Sequence, residues 1–344
     1  MKTLRVGVIG AGTNTQARHL PGLQALPGVE VAAVSNRSVA SAAAVAKKFG
    51  IPRIAADWRA VVADPALDAV VIGTWPDLHA EITRAALAAG KHVLTEARMA
   101  ASLSEAEAML ASSRTRPDLV AQIVPAPLSL DFDATIGAIL RERQLGLLRE
   151  VCITQTSAVY ADPALPLPPR LDERRSGINT LSLGIYYETI RRWLGFDPVE
   201  VAAAAAVFTA ERADEHGRLT PVRVPESLTV LGRYADGARL AAHFSGVERG
   251  LPRNEIRLNG SAGSLRLDVA AGQLWLARGE APESQVSVPV ESRRGWRVEE
   301  DFVASIRTGT PVQLTDFASG VAYMRFTDAV RRAAANFAAG AIRL

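Results

Sequence analysis

The sequence predicts an α/β protein. An N-terminal doubly wound parallel sheet is followed by an α+β domain with a mostly antiparallel open sheet. Three observations predict it. Short, continuously apolar segments alternate with amphipathic helical segments through the first third of the chain. The first of them runs into a tight Gly10-Ala11-Gly12 turn. Beyond Pro125 and Pro127 the alternation gives way to successive strand-like segments joined by Asp-Gly, Gly-Ser and Ala-Gly pairs.

Taken in order, LRVGVIGAG reads as a strand buried on both faces, and TNTQARHLPGLQAL as a helix from its apolar spacing. VEVAAVSNRS is a second strand and VASAAAVAKKFG a helix closed by Gly50. RIAADWRAVVAD opens a third unit, LDAVVIGTWP is a buried strand, DLHAEITRAALAAG a helix and KHVLTE a strand. SLSEAEAMLASSRTR is a helix opened by Ser102 or Ser104, with Glu105 and Glu107 in its first turn, and DLVAQIVPA closes the series. In the second half, FDATIGAILRERQLG is a helix and LLREVCITQTSAV a long strand. YADPALPLPPRLDERRSG is a loop, and INTLSLGIYYETIRRWLG a helix ending near Gly195. VEVAAAAAVFTA, PESLTVLGRYADGARLAAHFSGV, NEIRLNGSAGSLRLDV and GQLWLARG are strands, and WRVEEDFVASIRTG and DFASGVAYMRFTDAVRRAAANF are helices. The domains divide as 1–122 and 123–344, the C-terminal helices being free to pack back on the first. The open sheet leaves a face that a second copy can cover, which predicts a homodimer or homotetramer.

Composition narrows the function. The chain has 344 residues, 48% hydrophobic and 22% charged, with a net charge of +3. No run of Lys or Arg marks a nucleic-acid surface. The apolar N-terminal run is too short and Gly-rich for a membrane span or a signal peptide. The single cysteine, Cys152, allows no internal disulfide and suits a reducing compartment, so a cytoplasmic location is expected. The five histidines have no metal-ligand spacing, and no metal is expected. Lysines occur only at Lys2, Lys47, Lys48 and Lys91.

The turn Gly10-Ala11-Gly12-Thr13-Asn14-Thr15 lies between a buried strand and a helix. That is the setting of a dinucleotide fingerprint, with Thr15 in the third glycine's place. The first glycine permits the turn, and the second lets backbone approach a pyrophosphate at the helix N-terminus. The second strand ends in Ser35-Asn36-Arg37-Ser38, without the carboxylate that would bind the ribose of NAD. Arg37 can pair with a 2′-phosphate or stack on adenine, which favours NADP over NAD; the alternative is a solvated arginine.

With VGVIGAGTNTQARHLPGL, DAVVIGTWPDLHAEITRAALAAGKHVLTE, IRLNGSAGSLRLD and DFVASIRTGTPVQLTDFASGVAYMRFTDAV in this order, the chain resembles the Gfo/Idh/MocA oxidoreductase family nearly end to end. The resemblance implies a Rossmann domain and a substrate domain on an open sheet. It also implies a sugar-like, cyclitol or other hydroxylated small-molecule substrate. Gly10 and Gly12 match the family fingerprint. Thr74 and His79 match a strand-end motif in which Trp75 replaces proline, and His79 is then a positioning residue near the nicotinamide. Its alternative is a structural histidine. Glu96 matches the glutamate of a Glu-Lys-Pro motif. The family lysine and proline fall on Ala97 and Arg98. A second motif, Asp-x-Gly-x-His, falls on Ser182-Leu183-Gly184-Ile185-Tyr186. The lysine, aspartate and histidine that move protons in the family are all replaced.

Reducing a ketone, or oxidising an alcohol, needs a group that gives or takes the hydroxyl proton. Ala97 cannot, and Arg98 stays protonated. Tyr186 remains, its phenolate favoured if Arg98, Arg174 or Arg175 lies near; an ordered water is the other proton carrier. Some ketoreductases of the family are similar in placing Tyr there, although they keep the lysine. The alternative for Tyr186 is a packed aromatic, and Tyr187 points elsewhere on the helix. Tyr186, Glu96 and Arg98 are therefore the catalytic candidates. Arg174, Arg175, Asn179 and Ser182 are the candidates for substrate binding. The expected activity is NAD(P)-dependent hydride transfer to or from a sugar-like or related keto or hydroxyl compound. Two alternatives keep the dinucleotide but not the net reaction: a sensor or regulatory protein, and a lyase or glycosidase that uses NAD transiently with Glu96 and Glu188 as its carboxylates.

Overall fold

In the computed structural model, which describes residues 2–337, six parallel strands build the first sheet. They are β1 (Leu4–Ile9), β2 (Val29–Ser35), β3 (Arg53–Ile54), β4 (Ala69–Ile72), β5 (His92–Thr95) and β6 (Ala121–Ile123), in the order β3-β2-β1-β4-β5-β6. The order reverses between β1 and β4. Ligands of open α/β sheets bind at such a reversal, beyond the C-terminal strand ends. β4 is buried along its whole length, as a Val- and Ile-rich strand covered on both faces must be. The connecting helices are α1 (Leu20–Ala25), α2 (Val39–Phe49), α3 (Trp58–Ala63), α4 (Pro76–Ala88) and α5 (Leu103–Arg114). Ser38 Oγ caps α2 by accepting from Ser41 N at 3.2 Å, and Gly50 closes it in the left-handed region at φ +65°. Of the two serines that could open α5, Ser102 caps it, accepting from Glu105 N at 3.2 Å.

The second sheet has eight strands. After α6 (Asp133–Arg141) come β7 (Leu148–Thr156), α7 (Glu173–Ser176), α8 (Leu183–Leu194) and β8 (Glu200–Ala206). A separate small hairpin, β9 (Glu211–Ala213) and β10 (Leu219–Pro221), precedes β11 (Ser227–Arg233), β12 (Arg239–Ser245), β13 (Arg253–Gly260), β14 (Gly263–Asp268), β15 (Gln273–Arg278) and β16 (Ser284–Gln285). The sheet order is β16-β15-β14-β13-β7-β12-β11-β8, antiparallel except where β12 runs parallel to β7. Alternation is strict. Ile153, Val230, Ala242, Ile256, Leu267 and Leu274 form one buried row across the sheet, while Cys152, Thr154, Ala241, His243, Arg257 and Arg266 face the other way.

Helices α9 (Val298–Thr308) and α10 (Phe317–Ala335) follow. The two compact units are Met1–Pro125 with Arg297–Met324, and Ala126–Trp296 with the chain from Arg325 onward. The division at 122 is thus close to the first break, but residues 297–324 return to the first unit.

Four local readings change. The first helix begins as a wide π turn, Thr15–His19, before α1. The loop expected over 160–177 contains α7, nucleated by Asp172 accepting from Arg174 N at 3.0 Å. The helix expected from Ile178 starts only at Leu183, because Leu181 takes a left-handed φ of +47° and Asn179 Nδ2 turns back to Ser176 O at 2.7 Å. Strand β8 stops at Ala206, because the next N–H groups, of Phe208 and Thr209, leave the ladder for Glu226 Oε2 at 2.7 and 2.9 Å. Glu226 in turn accepts from Arg212 at 2.8 Å, both side chains being fully buried. Arg212 also donates to the carbonyls of Tyr160, Asp162 and Leu165, which pins the Pro-rich loop to the β9–β10 hairpin.

Candidate active site

The Gly-rich turn leaves β1 at the point where the sheet order reverses. Gly10 sits at φ +81°, and a Cβ there would lie 2.7 Å from Thr74 N. Both facts demand glycine. Gly12 is different: the nearest atom to a Cβ placed there is Gly73 O, at 4.0 Å. The chain itself therefore leaves room at Gly12, and a glycine there leaves the backbone open to a ligand. Thr15, in the third glycine's place, is buried and donates to Gly10 O at 3.3 Å. A Cβ at Gly73 would lie 2.2 Å from Thr15 Oγ1, so a glycine at the end of β4 makes room for the threonine. The close strand-to-helix packing is kept with the glycine moved across to the neighbouring strand. Thr13 and Asn14 are exposed at the start of the helical turn.

The tip of β2 is less uniform than its sequence suggests. Ser35 is buried and Ser38 is the α2 cap. Asn36 Oδ1 accepts from Ala11 N at 2.7 Å, bracing the Gly-rich turn from the adjacent strand. Arg37 is exposed. At the end of β4, Thr74 Oγ1 donates to Trp75 O at 3.2 Å, and Trp75 is 37% exposed at the start of α4.

His79 is fully buried in α4. Its Nε2 lies 2.9 Å from Thr74 O, and its Nδ1 lies 3.0 Å from Arg98 O and 3.3 Å from Met99 O. Burial outweighs these carbonyls and holds the ring below its ordinary pKa. The ring clamps the β4 end to the loop after β5. From the other side, Met99 N donates to Tyr323 Oη at 2.6 Å. The loop that carries Ala97 and Arg98 is thus fixed by its backbone, and Arg98 is itself buried. Lys91, the nearest lysine in sequence, cannot stand in for the missing one. It lies at the opposite end of β5, donating to Asp64 O and Leu67 O at 2.7 Å each.

Glu96, at the C-terminal end of β5, accepts from Asn14 Nδ2 and lies 3.0 Å from His19 Nε2. The other ring nitrogen of His19 bonds Glu299 of α9. The ring has no solvent exposure, and Glu299 is 4% exposed. Burial works against a charge on His19, but the hydrogen bonds and charges of Glu299 and Glu96 outweigh it and raise its pKa from 6.5 to about 9. The same contacts reverse the effect of burial on Glu96, and its pKa falls below the ordinary value. Glu96 is therefore favoured as the carboxylate anion. Neither His19 nor Glu299 is among the candidates that the sequence singles out. The only signal in the sequence was polarity at positions where two helices turn inward.

In the second unit Tyr186 is 2% exposed, in α8. Its hydroxyl donates to Asn254 Oδ1, and its ring meets Phe244 edge-on at 5.5 Å. Burial pushes the phenol well above its ordinary pKa, and the Asn254 hydrogen bond offsets this only in part. The expected phenolate beside a cation is thereby corrected: Tyr186 is a neutral phenol. Asn254 was missed. It shares the covered face of β13 with Ile256 and Leu258, a polar residue in a core-facing position, and that was its signal. Tyr187 stacks on Phe326 at 3.6 Å and bonds Asp197. Arg174 is exposed and forked onto Asp172 at 2.9 Å, and Arg175 is half-buried. Asn179 is fully buried, and Ser182 stands at the head of α8 without a side-chain capping bond. Glu188 is buried and accepts from Ala126 N at 3.0 Å and Arg192 at 3.2 Å, holding α8 to the start of the unit. Among the described residues no His, Cys, Asp and Glu side chains group to hold a metal, and no helix is long and apolar enough to cross a membrane.

A doubly wound sheet with a Gly-rich turn at its reversal point, followed by an open antiparallel sheet, defines a two-domain dinucleotide-binding oxidoreductase. Residues 4–122 match the family model described as "Oxidoreductase family, NAD-binding Rossmann fold", and residues 134–266 match the Gfo/Idh/MocA C-terminal domain. The chain belongs to the Gfo/Idh/MocA oxidoreductase family. It is 31% identical over 338 residues to dTDP-3,4-didehydro-2,6-dideoxy-alpha-D-glucose 3-reductase of Streptomyces antibioticus, covering 96% of this chain and 94% of the relative. It is 27% identical over 263 residues to levoglucosan dehydrogenase of Pseudarthrobacter phenanthrenivorans, covering 69% and 66% of the two chains. Among solved structures, an oxidoreductase domain protein from Kribbella flavida superposes with TM-score 0.88 at 23% identity, over 98% of each chain. Levoglucosan dehydrogenase in complex with NADH and levoglucosan superposes with TM-score 0.86 at 24% identity, over 97% of this chain and 98% of that one.

The raised pKa of His19 makes stability depend on pH. The bound proton stabilises the fold fully below pH 6.5, and that contribution is lost as the pH rises through about 9. The loss is on the order of 2–3 kcal/mol. Thermal melts between about pH 7 and pH 10 are expected to show Tm falling by several degrees in the wild type. In His19→Asn, Tm is expected to start lower and to change much less with pH.

Proposed function

We propose that this protein is an NADP-preferring reductase of a keto group on a sugar-like or related hydroxylated small molecule, acting in the cytoplasm as a homodimer or homotetramer. The observation that carries the reaction direction is the buried, neutral Tyr186, whose hydroxyl is already a hydrogen-bond donor to Asn254. A neutral phenol can give its proton to a developing alkoxide, whereas taking one from an alcohol needs the phenolate that burial disfavours. When bound, the reduced nicotinamide supplies the hydride to the carbonyl carbon. Tyr186 hands its proton to the carbonyl oxygen and is then reprotonated from solvent. Asn254 holds the hydroxyl until the substrate oxygen replaces it as acceptor.

The other residues have supporting roles. The opening at Gly12 and the braced turn Gly10–Thr15 fit a pyrophosphate. Thr74, Trp75 and His79 fix the strand end beside it. Arg37 is exposed at the tip of β2, where its guanidinium can meet a 2′-phosphate, and the tip carries no carboxylate to repel that phosphate. Arg98, Arg175, Asn179 and Ser182 are proposed to contact the substrate, with exposed Arg174, forked onto Asp172, as a clamp. The likeness to a keto-sugar reductase and to levoglucosan dehydrogenase supports the substrate class and the use of a nicotinamide dinucleotide. For the assembly, the open face of the sheet carries Ala202, Leu231, Ala241 and Cys152 in one row, with Leu231 58% exposed. Ion pairs such as Glu200–Arg233 and Glu150–Arg239 border that row. A twofold-related copy covers such a face.

The test begins with fluorescence titration of nucleotide-free protein by NADPH and NADH. NADPH is expected to bind about tenfold or more tightly than NADH, and Arg37→Ala to remove most of that difference. If neither nucleotide binds, the oxidoreductase reading fails; equal affinities in wild type and Arg37→Ala remove the NADP preference. Turnover of keto-sugars is then compared between wild type and Tyr186→Phe. A drop in kcat of about a hundredfold or more, with KM little changed, is expected. An unchanged kcat would remove Tyr186 from the reaction.

A further inference from the structure

His19 has no part in the reaction proposed above. Yet it is the most elaborately held titratable group in the first unit. Three separate parts of the chain converge on it: the end of β5 through Glu96, the first turn of α9 through Glu299, and its own π turn following the Gly-rich loop. Two further features show that the convergence is built. A Cβ at Gly22 would lie 2.8 Å from Glu299 Oε2, so α1 carries no side chain where the carboxylate passes. The π turn ends at His19 itself, and such wide turns recur at functional positions. The Glu96 oxygen that meets His19, Oε1, also takes the amide of Asn14, within the Gly-rich turn.

We infer that His19 is a positioning residue for the nucleotide: bridging Glu299 and Glu96, it holds the Glu96 carboxylate against Asn14 and so keeps the Gly-rich turn and the end of β5 in their binding arrangement. The inference rests on the nucleotide-binding reading above. Its physical basis is charge. With the imidazolium in place, each carboxylate accepts a hydrogen bond from it. Without the proton, a neutral ring can donate to only one of them, and the second carboxylate faces a lone pair. The two carboxylates, 96 and 299, then repel each other across the ring in a buried setting. His79 is held neutral by burial, so it does not replace the lost proton. Release of Glu96 frees Asn14, and the turn loses its bound geometry. His19 never touches the reacting atoms. Its effect appears in affinity and in the pH at which affinity changes.

The test is NADPH titration followed by fluorescence across about pH 7 to pH 10, on wild type, His19→Asn and Glu299→Gln, each checked for folding by circular dichroism at pH 7. In wild type, Kd is expected to weaken by about tenfold as the pH passes through the titration of His19. Glu299→Gln removes one carboxylate and should move that fall to lower pH. His19→Asn should bind about tenfold more weakly at pH 7 and respond little to pH. A purely structural role would change melting temperature without moving the midpoint in Glu299→Gln, and an unmoved midpoint overturns the inference. So does a flat wild-type profile, or a folded His19→Asn with wild-type affinity. If His19→Asn does not fold, the Glu299→Gln midpoint alone decides. Wild type that binds neither NADPH nor NADH at pH 7 overturns the nucleotide reading and this inference with it; tight wild-type binding with an unmoved midpoint overturns this inference only.

Discussion

A buried imidazolium between two carboxylates is the contact on which the first unit's site depends. Isolated, any of these three charges would be expelled from the interior or neutralised. Together they hold one another, with His19 kept cationic and Glu96 kept anionic. The contact joins segments that lie far apart in sequence, since Glu299 comes from near the end of the chain. That gives a physical reason for residues 297–324 to return to the first unit. On the proposed reading, Glu96, favoured as an anion by His19 and Asn14, orients its partners and leaves proton transfer to another group.

The separation of duties follows from that. The loop after β5 is held at its backbone by His79 and Tyr323, so its shape does not require the family lysine. Its side chain at position 97 is only a methyl group, and Lys91 is tied down at the wrong end of the strand. Proton delivery therefore falls to a residue elsewhere. Tyr186, kept protonated by burial and aimed by Asn254, has the chemistry of a donor. Glu188 does not compete, because it holds α8 through Ala126 and Arg192. On the proposed reading, this arrangement serves reduction, where a proton is given.

Much of this was legible in the residues because the relevant patterns are local. Continuous apolar runs mark the buried strands, glycine turns mark the hairpins, and the Gly10–Gly12 spacing between strand and helix marks the nucleotide turn. What the residues did not disclose is long-range. Thr15 reads as a departure from the fingerprint until Gly73, on a neighbouring strand, is found making room for it. Asn36 reads only as part of the polar tip of β2 until its carbonyl is seen to accept from Ala11. His19 and Glu299 lie in helices whose periodicity says only that they face inward, and pairing across such a distance leaves no trace in spacing. Tyr186 is a candidate from sequence, but its protonation state depends on burial and on Asn254, which a one-dimensional reading cannot supply. Helix limits slipped for a related reason: the left-handed Leu181 has no composition signal of the kind that glycine would give.

The measurement that bears most directly on this account is the titration of the His19 side chain by nuclear magnetic resonance, in protein labelled at histidine nitrogen, with His19→Asn used to assign the resonance. The account predicts an imidazolium at neutral pH that loses its proton only near pH 9. A neutral His19 ring at pH 7 would contradict it, because neither the fixed charge of Glu96 nor the bracing of the Gly-rich turn would then have a cause.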